Sequence, residues 1–326
     1  TIILGANASL TDNDAFNFAI VASGNTVLTM GEGSQITSNF ISVSSNGNST
    51  ITLGVNARLI SGSYAAISHA GGSTGTLTLN AGASIQSSVG GGAGVSSIQN
   101  LTMAAGSQII NTGIFGQAIS ATAGNDNFDI SGLLQAGGVA TAINLANGDD
   151  TLILRSGAQM VGTIDGGGGT DTAQLFGTNS EDDDFSTFES LQMDGVDWTL
   201  SGVSTFGTAD INSGILRNNG TMTADVNVNA NASFGGSGTT IGNIINDGFT
   251  KPGNSIGTQN ITGNFTQNAG GELEIEFGPA SSDVLAISGV TTLDGALRVT
   301  EFTGGVADGT IYTFLTAAGG VGGTTF

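Results

Sequence analysis

Leu77-Thr78-Leu79-Asn80-Ala81-Gly82-Ala83-Ser84-Ile85 decides the fold. An apolar, a polar and a second apolar residue are followed three positions on by a Gly corner, and then by a further apolar residue. Alternation with period two marks a strand with one face buried. The same unit precedes it as Ile2-Ile3-Leu4 with Asn7 and Leu10, Leu28-Thr29-Met30 with Gly33 and Ile36, and Ile51-Thr52-Leu53 with Asn56 and Leu59. It follows as Leu101-Thr102-Met103 with Gly106 and Ile109, and Leu152-Ile153-Leu154 with Gly157 and Met160. Phe128-Asp129-Ile130 is a degenerate copy and Ala173-Gln174-Leu175 a weaker one. The second apolar residue falls at 4, 30, 53, 79, 103, 130, 154 and 175, in steps of 21 to 27 residues. Between these markers lies another apolar strand, as in Asn39-Phe40-Ile41, Ala65-Ala66-Ile67, Gln117-Ala118-Ile119 and Thr141-Ala142-Ile143.

A fixed corner at a step near two dozen residues reads as one coil of a solenoid. The corner residues Asn7, Gly33, Asn56, Gly82, Gly106 and Gly157 suit a left-handed backbone that other residues reach at a cost. A single coil cannot bury its own apolar edges, whereas stacked coils share one continuous core. The chain has 55 Gly but only two Pro, as central strands need every N–H for the ladder. Gly, Thr, Asn and Val dominate where a helix would want Ala, Leu, Glu and Lys. These features predict an all-β fold, a single-stranded right-handed parallel β-helix of about thirteen coils.

Composition narrows the function classes. Twenty-six acidic residues face five basic ones, a net charge of −21. So few Lys and Arg cannot neutralise phosphates, which excludes nucleic acid as a partner. Apolar content of 38% separates the chain from acidic disordered tails. Gly is abundant without a Gly-X-Y period, so collagen is excluded. The absence of Cys suits a chain that crosses a narrow pore unfolded. No stretch reaches the ~20 apolar residues of a membrane-spanning helix. The chain opens at Thr1 without a basic, apolar leader, so the expectation is an excised piece of a longer exported protein.

Three segments are expected: regular coils over 1–176, coils with an acidic loop over 177–249, and a cap over 250–326. Glu181-Asp182-Asp183-Asp184 is the strongest charge run and reads as a solvated loop, with a cation site as the alternative. Strands continue through Val226-Asn227-Val228, Ile241-Gly242-Asn243-Ile244, Leu273-Glu274-Ile275-Glu276-Phe277, Val284-Leu285-Ala286-Ile287, Leu297-Arg298-Val299 and Ile311-Tyr312-Thr313-Phe314-Leu315. They read as longer and more aromatic than the earlier strands, and therefore as the most stable part.

Gly236-Ser237-Gly238-Thr239-Thr240-Ile241-Gly242-Asn243 leads into Pro252-Gly253-Asn254-Ser255-Ile256-Gly257-Thr258, then Ile261-Thr262-Gly263-Asn264-Phe265-Thr266-Gln267 and Gly271-Glu272-Leu273-Glu274-Ile275. This string resembles the C-terminal passenger region of bacterial autotransporters, the type V secretion family. Trp198-Thr199-Leu200-Ser201-Gly202 through Gly214-Ile215-Leu216 is similar to that family's passenger-associated repeat. The likeness covers about residues 190–326; upstream it rests on the coil pattern. It implies a β-helical passenger exported through its own C-terminal membrane β-barrel, with an autochaperone-like region over 250–326. It also implies a place on the bacterial cell surface or outer membrane, or secretion.

Little in the sequence supports chemistry. Gly166-Gly167-Gly168-Gly169-Thr170-Asp171-Thr172-Ala173 fits the G-G-x-G-x-D-x-U form of calcium-binding β-rolls, with partial copies at Gly124-Asn125-Asp126-Asn127-Phe128 and Gly148-Asp149-Asp150-Thr151-Leu152. β-Rolls repeat this form every nine residues, whereas these copies are one per coil. Stacked Asp126, Asp150 and Asp171 would repel along one edge, which Ca²⁺ could relieve; alternatively each Gly-Asp simply turns the corner and faces water. His69 is the single His, and no nucleophile-turn motif accompanies it, so it reads as a loop residue. Arg58, Arg155, Arg217 and Arg298 mark no constellation. Outward Thr29, Thr52, Thr78 and Thr102 resemble the Thr face of ice-binding solenoids, but Thr is a favoured strand residue and Asp129 and Ile153 interrupt the array.

The reading that results is a non-enzymatic surface rod, an adhesin or a virulence or self-association factor. Its partners would be host or surface glycans or proteins, or like rods on neighbouring cells. The partner-facing loops would be residues 12–18, 61–76, 87–94 and 178–184, because recognition usually resides on loops carried by a rigid scaffold. A polysaccharide-acting lyase or hydrolase and a calcium-stabilised surface protein are the alternatives.

Overall fold

The apolar–polar–apolar triplets form the strands that their period predicts, including Thr26–Met30, Ser49–Leu53, Gly75–Leu79, Asn127–Ile130 and Thr151–Leu154. In a computed structural model that describes residues 1–13, 18–69, 72–138, 140–301 and 304–326, the chain is all-β without a helix. Its parallel strands stack as a β-solenoid of about thirteen turns. Of the loop expected over 12–18, residues 14–17 lie outside the described set, as do 70–71 of the loop over 61–76. The chain divides into two compact units, Thr1–Ala173 and Gln174–Phe326.

In unit 1, three columns of inward side chains meet. One runs Leu28, Ile51, Leu77, Leu101, Phe128, Leu152, each residue in register with the next. A second runs Ile36, Leu59, Ile85, Ile109, Leu134, Met160. The third is Val43, Ile67, Val95, Ile119, Ile143, Ile164. All of these are buried, and each fully buried Leu or Ile stabilises by roughly 1.5–3 kcal/mol. Outward positions carry the ladder Thr29, Thr52, Thr78, Thr102, which ends at Asp129 and Ile153 as read from the sequence.

The corners follow the expected chemistry. Asn7, Gly33, Asn56, Gly82, Gly106 and Gly157 all have φ between 55° and 87°. Where the corner is Asn, the coil that follows has Gly, and the reason is steric. A Cβ on Gly82 would lie 2.2 Å from Asn56 Oδ1, and one on Gly33 would lie 2.5 Å from Asn7 Oδ1.

Unit 2 is built on a seven-stranded parallel sheet from Thr178–Glu181 to Ala296–Glu301. Its inward column runs Trp198, Leu216, Phe234, Thr250, Leu273. Phe185, Phe188 and Phe206 cluster beside one another, with ring centroids 5.5–6.4 Å apart. Further along, the interior turns polar: Thr240, Asn246, Thr250, Gln259, Gln267 and Thr291 are all buried.

Two expectations about the C-terminal strands are corrected. The longest strand, Ala93–Met103, lies in unit 1, where Ser97 takes a positive φ and a bulge carries one strand round a corner into the next. The expected strand over Ile311–Leu315 is instead Leu315–Ala317. Before it, Gly305 and Gly309 adopt positive φ and the Thr310 N–H closes a turn on Ala307 O, leaving Ile311 92% exposed.

Candidate functional site

The Gly-Asp corners of unit 1 hold the most concentrated titratable chemistry. Gly148 and Gly169 have φ near +138°, and a Cβ on either would fall within 2.6 Å of backbone in the coil beneath. Only bare backbone lets these corners stack so closely. The stacking places Asp126, Asp150 and Asp171 one coil apart at the heads of strands Asn127–Ile130, Thr151–Leu154 and Thr172–Leu175. All three are buried, at 3%, 1% and 0% exposure, so they do not face water.

Unpaired backbone donors explain the inward turn. The Asp126 N–H donates to Asp150 Oδ1 at 2.7 Å, and the Asp150 N–H donates to Asp171 Oδ1 at 2.9 Å. The neighbouring position stitches in the opposite sense: the Asp149 N–H donates to Asn125 Oδ1 at 3.0 Å, and the Thr170 N–H to Asp149 Oδ1 at 2.9 Å. Asp126 itself accepts from the Thr122 hydroxyl at 2.6 Å and from the Thr122 N–H at 3.0 Å. Burial pushes the Asp126 carboxyl up to about 7, against the opposing Thr122 bonds, and the Asp150 charge adds to the rise. Burial also raises Asp150, helped by Asp149, and Asp150 Oδ2 is buried with no hydrogen-bond partner.

The ladder brings the three carboxylates onto successive coils without converging three of their oxygens on one point. Among the described residues, the trio whose ligand atoms lie within 4.8 Å of one another is Glu181, Asp182 and Asp183. Here the solvated-loop reading needs one correction. Glu181 is 4% exposed, because its Oε1 accepts the N–H groups of Asp182 and Asp183 at 3.1 and 3.2 Å. Asp182 and Asp184 do face solvent. The arrangement offers oxygen ligands to a hard cation such as Ca²⁺.

His69 ends strand Ile67–His69 and is no loop residue. Its Nδ1 lies 3.0 Å from Ser96 O and its Nε2 lies 2.6 Å from Ser49 Oγ. A carbonyl only accepts, so Nδ1 carries the proton and Nε2 accepts from the Ser49 hydroxyl. Desolvation by burial holds this imidazole below its ordinary pKa despite the Ser96 bond, so it is neutral near pH 7. Ser49 is 5% exposed and its N–H is held by Thr74 O at 3.0 Å. The pair therefore bridges three coils from inside. Sequence reasoning missed it, although one signal was present: Gly75 takes the ladder position of Ser49, and a Cβ there would lie 2.7 Å from the His69 ring.

Four of the five basic residues form pairs that their isolation in sequence conceals. Arg155 forks onto Asp129 at 2.6 and 2.8 Å, and Arg217 bonds Asp197. Lys251 meets Glu274 at 3.1 Å and Arg298 meets Glu272 at 2.6 Å. In each pair the partners sit on different coils, so the ions tie coils together across the surface; exposed pairs of this kind contribute about 0–1 kcal/mol each.

Fold and site together define a parallel β-solenoid with carboxylate-capped corners. No family model and no curated protein sequence matches the chain.

Proposed function

We propose that the chain is an autotransporter-type passenger, secreted or displayed on a bacterial surface, that acts by contact and not by catalysis. The observation that carries this reading is the placement of the passenger-like residues. Trp198, Leu200 and Leu216 are buried in the core column of unit 2, and the Trp198 indole N–H donates to Phe176 O at 3.2 Å. The stretch with the family likeness thus supplies part of the core of unit 2, which is consistent with a repeat that builds a β-helical rod. Support for contact over catalysis comes from the Ser49–His69 pair: Ser49 is 5% exposed, and the half-buried ring turns its Nδ1 to the Ser96 carbonyl, where a triad would place a carboxylate. The segments read as loops over 61–76, 87–94 and 178–184 are part strand, since Ile67–His69, Thr178–Glu181 and the start of Ala93–Met103 lie within them. The turns at 62–66, 88–92 and 182–184 would therefore meet the partner, a glycan or protein on a host or on a like cell.

The test is binding of the labelled chain to glycan and matrix arrays and to whole cells, before and after the turn residues at 62–64, 88–91 and 182–184 are replaced by Gly and Ser, with the strands left intact. Binding lost with a loop supports the reading. Binding to nothing, or release of new reducing ends from a polysaccharide, overturns it. The convergence of Glu181, Asp182 and Asp183 favours a second reading, calcium-stabilised display. A melting midpoint that falls on chelation in the wild type, and does not fall in Asp182→Asn/Asp183→Asn, would support it.

A further inference from the structure

The charge of unit 1 is unevenly placed. Asp12, Asp14 and Glu32 precede a long gap and Asp126 begins the next acidic run, so residues 33–125 hold one formal charge, Arg58. In a chain of net charge −21, this segment stands at +1 and the remainder at −22.

Apolar side chains project from one edge of the same segment. After strands Gln35–Ser38, Arg58–Ser61, Ser84–Ser87 and Gln108–Asn111 the corners carry Phe40, Tyr64, Val89, and the pair Ile114 and Phe115. The Phe40 and Tyr64 rings touch, with centroids 4.0 Å apart. Tyr64, Ile114 and Phe115 are 46%, 75% and 64% exposed. The corners are fastened to one another. The Ser61 hydroxyl donates to Phe40 O and the Ser88 hydroxyl to Gly62 O, while the Gly91 N–H donates to Ile114 O at 3.1 Å. Phe115 holds φ at +58°, an outlier for a bulky residue, inside a turn closed by the Gly116 N–H on Gly113 O at 3.0 Å. Strained backbone of this kind costs on the order of 1–3 kcal/mol and persists only where the surrounding structure holds it, so the stacked corner fixes the direction of the exposed Phe115 ring.

We propose that this ridge is a self-association surface whose occupant is a second copy of the chain, docked through a two-fold contact that sets ridge against ridge. Charge selects that occupant. Two copies repel wherever acids face acids, and at physiological salt the repulsion reaches about 8 Å. Over 33–125 no acid opposes approach, and an isologous contact sets this same surface on both partners. A cationic partner would seek the acidic coils, and a small sugar would seek a concave site, whereas these tips project. The inference rests on the contact reading above but does not require display on a cell.

Sedimentation equilibrium of the purified chain, with chelator present, tests it from micromolar to hundred-micromolar concentration. A reversible dimer is expected, tightened or unchanged by added salt. Tyr64→Asp and Phe115→Asp should each weaken it about tenfold or more, and Phe115→Ser less, with the melting midpoint unchanged for the Phe115 variants and lowered slightly for Tyr64→Asp, which also loses the Phe40 ring contact. A chain monomeric throughout the range, a dimer that salt dissociates, or one indifferent to these variants overturns the proposal. A monomer that still binds cells would sink the dimer and leave the contact reading standing; a dimer that binds no surface would do the reverse.

Discussion

One column of unit 1 stacks Leu28, Ile51, Leu77, Leu101, Phe128 and Leu152, whereas its counterpart in unit 2 runs Trp198, Leu216, Phe234, Thr250 and Leu273. Each column sits inside a parallel ladder, the two in different sheets. The backbone bonds thus fix the coil, and the interior need only be filled and satisfied. Unit 1 fills the interior with hydrocarbon along its three columns and keeps buried Ser38, Ser61, Ser87 and Asn111 at the strand ends beside them. Unit 2 partly satisfies it with amides: Asn246 donates to Gln267 Oε1 at 3.3 Å and to Glu272 O at 3.2 Å, and Gln267 donates to Asp294 O at 2.6 Å. The satisfaction is incomplete, because Thr250 Oγ1, Thr291 Oγ1 and both amide atoms of Gln259 are buried with no protein partner.

The largest expected effects test that contrast directly. Leu77→Ala removes a fully buried side chain from a column with apolar neighbours above and below, and should cost about 2–5 kcal/mol in denaturant unfolding. Gln259→Leu should do the opposite and stabilise by about 1–3 kcal/mol, because it removes buried polar atoms that bond to nothing. Thr250→Val should be neutral or slightly stabilising for the same reason. If either unit 2 substitution costs as much as Leu77→Ala, an ordered water completes the polar interior, and the two cores are equally well satisfied. A smaller effect belongs to the corners. Gly82→Ala should cost about 1–2 kcal/mol for its left-handed backbone, plus the collision with Asn56 Oδ1. In an Asn56→Gly background only the collision part should vanish.

What the sequence disclosed follows the same division. The apolar columns of unit 1 were legible because period-two alternation repeats at a constant step, and Asn or Gly at the corner names a backbone conformation. The left-handed Ser97, Phe115, Ala146 and Thr187 were not legible, since tertiary stacking and not residue preference holds them there. Gln259 and Gln267 are polar, yet alternation sets them on the faces of Ile261 and Phe265, so their place inside was half legible and their side-chain type hid it. The acidic ladder was half legible. Gly-Asp spacing placed Asp126, Asp150 and Asp171 on one edge, but their direction depends on which N–H groups lack partners, and that is visible only once the coils stack. The Ser49–His69 contact spans 20 residues and exists because His69 stacks on Ser45 of the preceding coil and reaches across the turn to Ser49.

The most finely balanced prediction concerns pH, where groups within unit 1 oppose one another. Asp126 titrates near 7 when folded and near 3.9 when unfolded. Its protonated form is favoured by folding, so its contribution is fully present below about pH 4 and is lost as pH rises through 7. Asp150 acts in the same direction. His69 acts in the other: burial lowers its pKa, so its contribution is present above about 6.5 and is lost as pH falls below that value. Two carboxyls outweigh one imidazole, so the melting midpoint of unit 1 should rise as pH is lowered from 8 to 5, where general repulsion among acids also relaxes. Asp126→Asn should flatten that rise, and adding His69→Gln should restore part of it by removing the opposing group. In unit 2, burial raises Asp283 to about 6, although the Gly257 and Glu276 N–H groups that it accepts oppose the shift. Its gain should therefore begin about one pH unit lower. If the wild-type midpoint falls steadily from pH 8 to 5, the buried carboxylates are ionised in the fold, and the corner ladder is N–H groups donating to charged carboxylates and not to protonated ones.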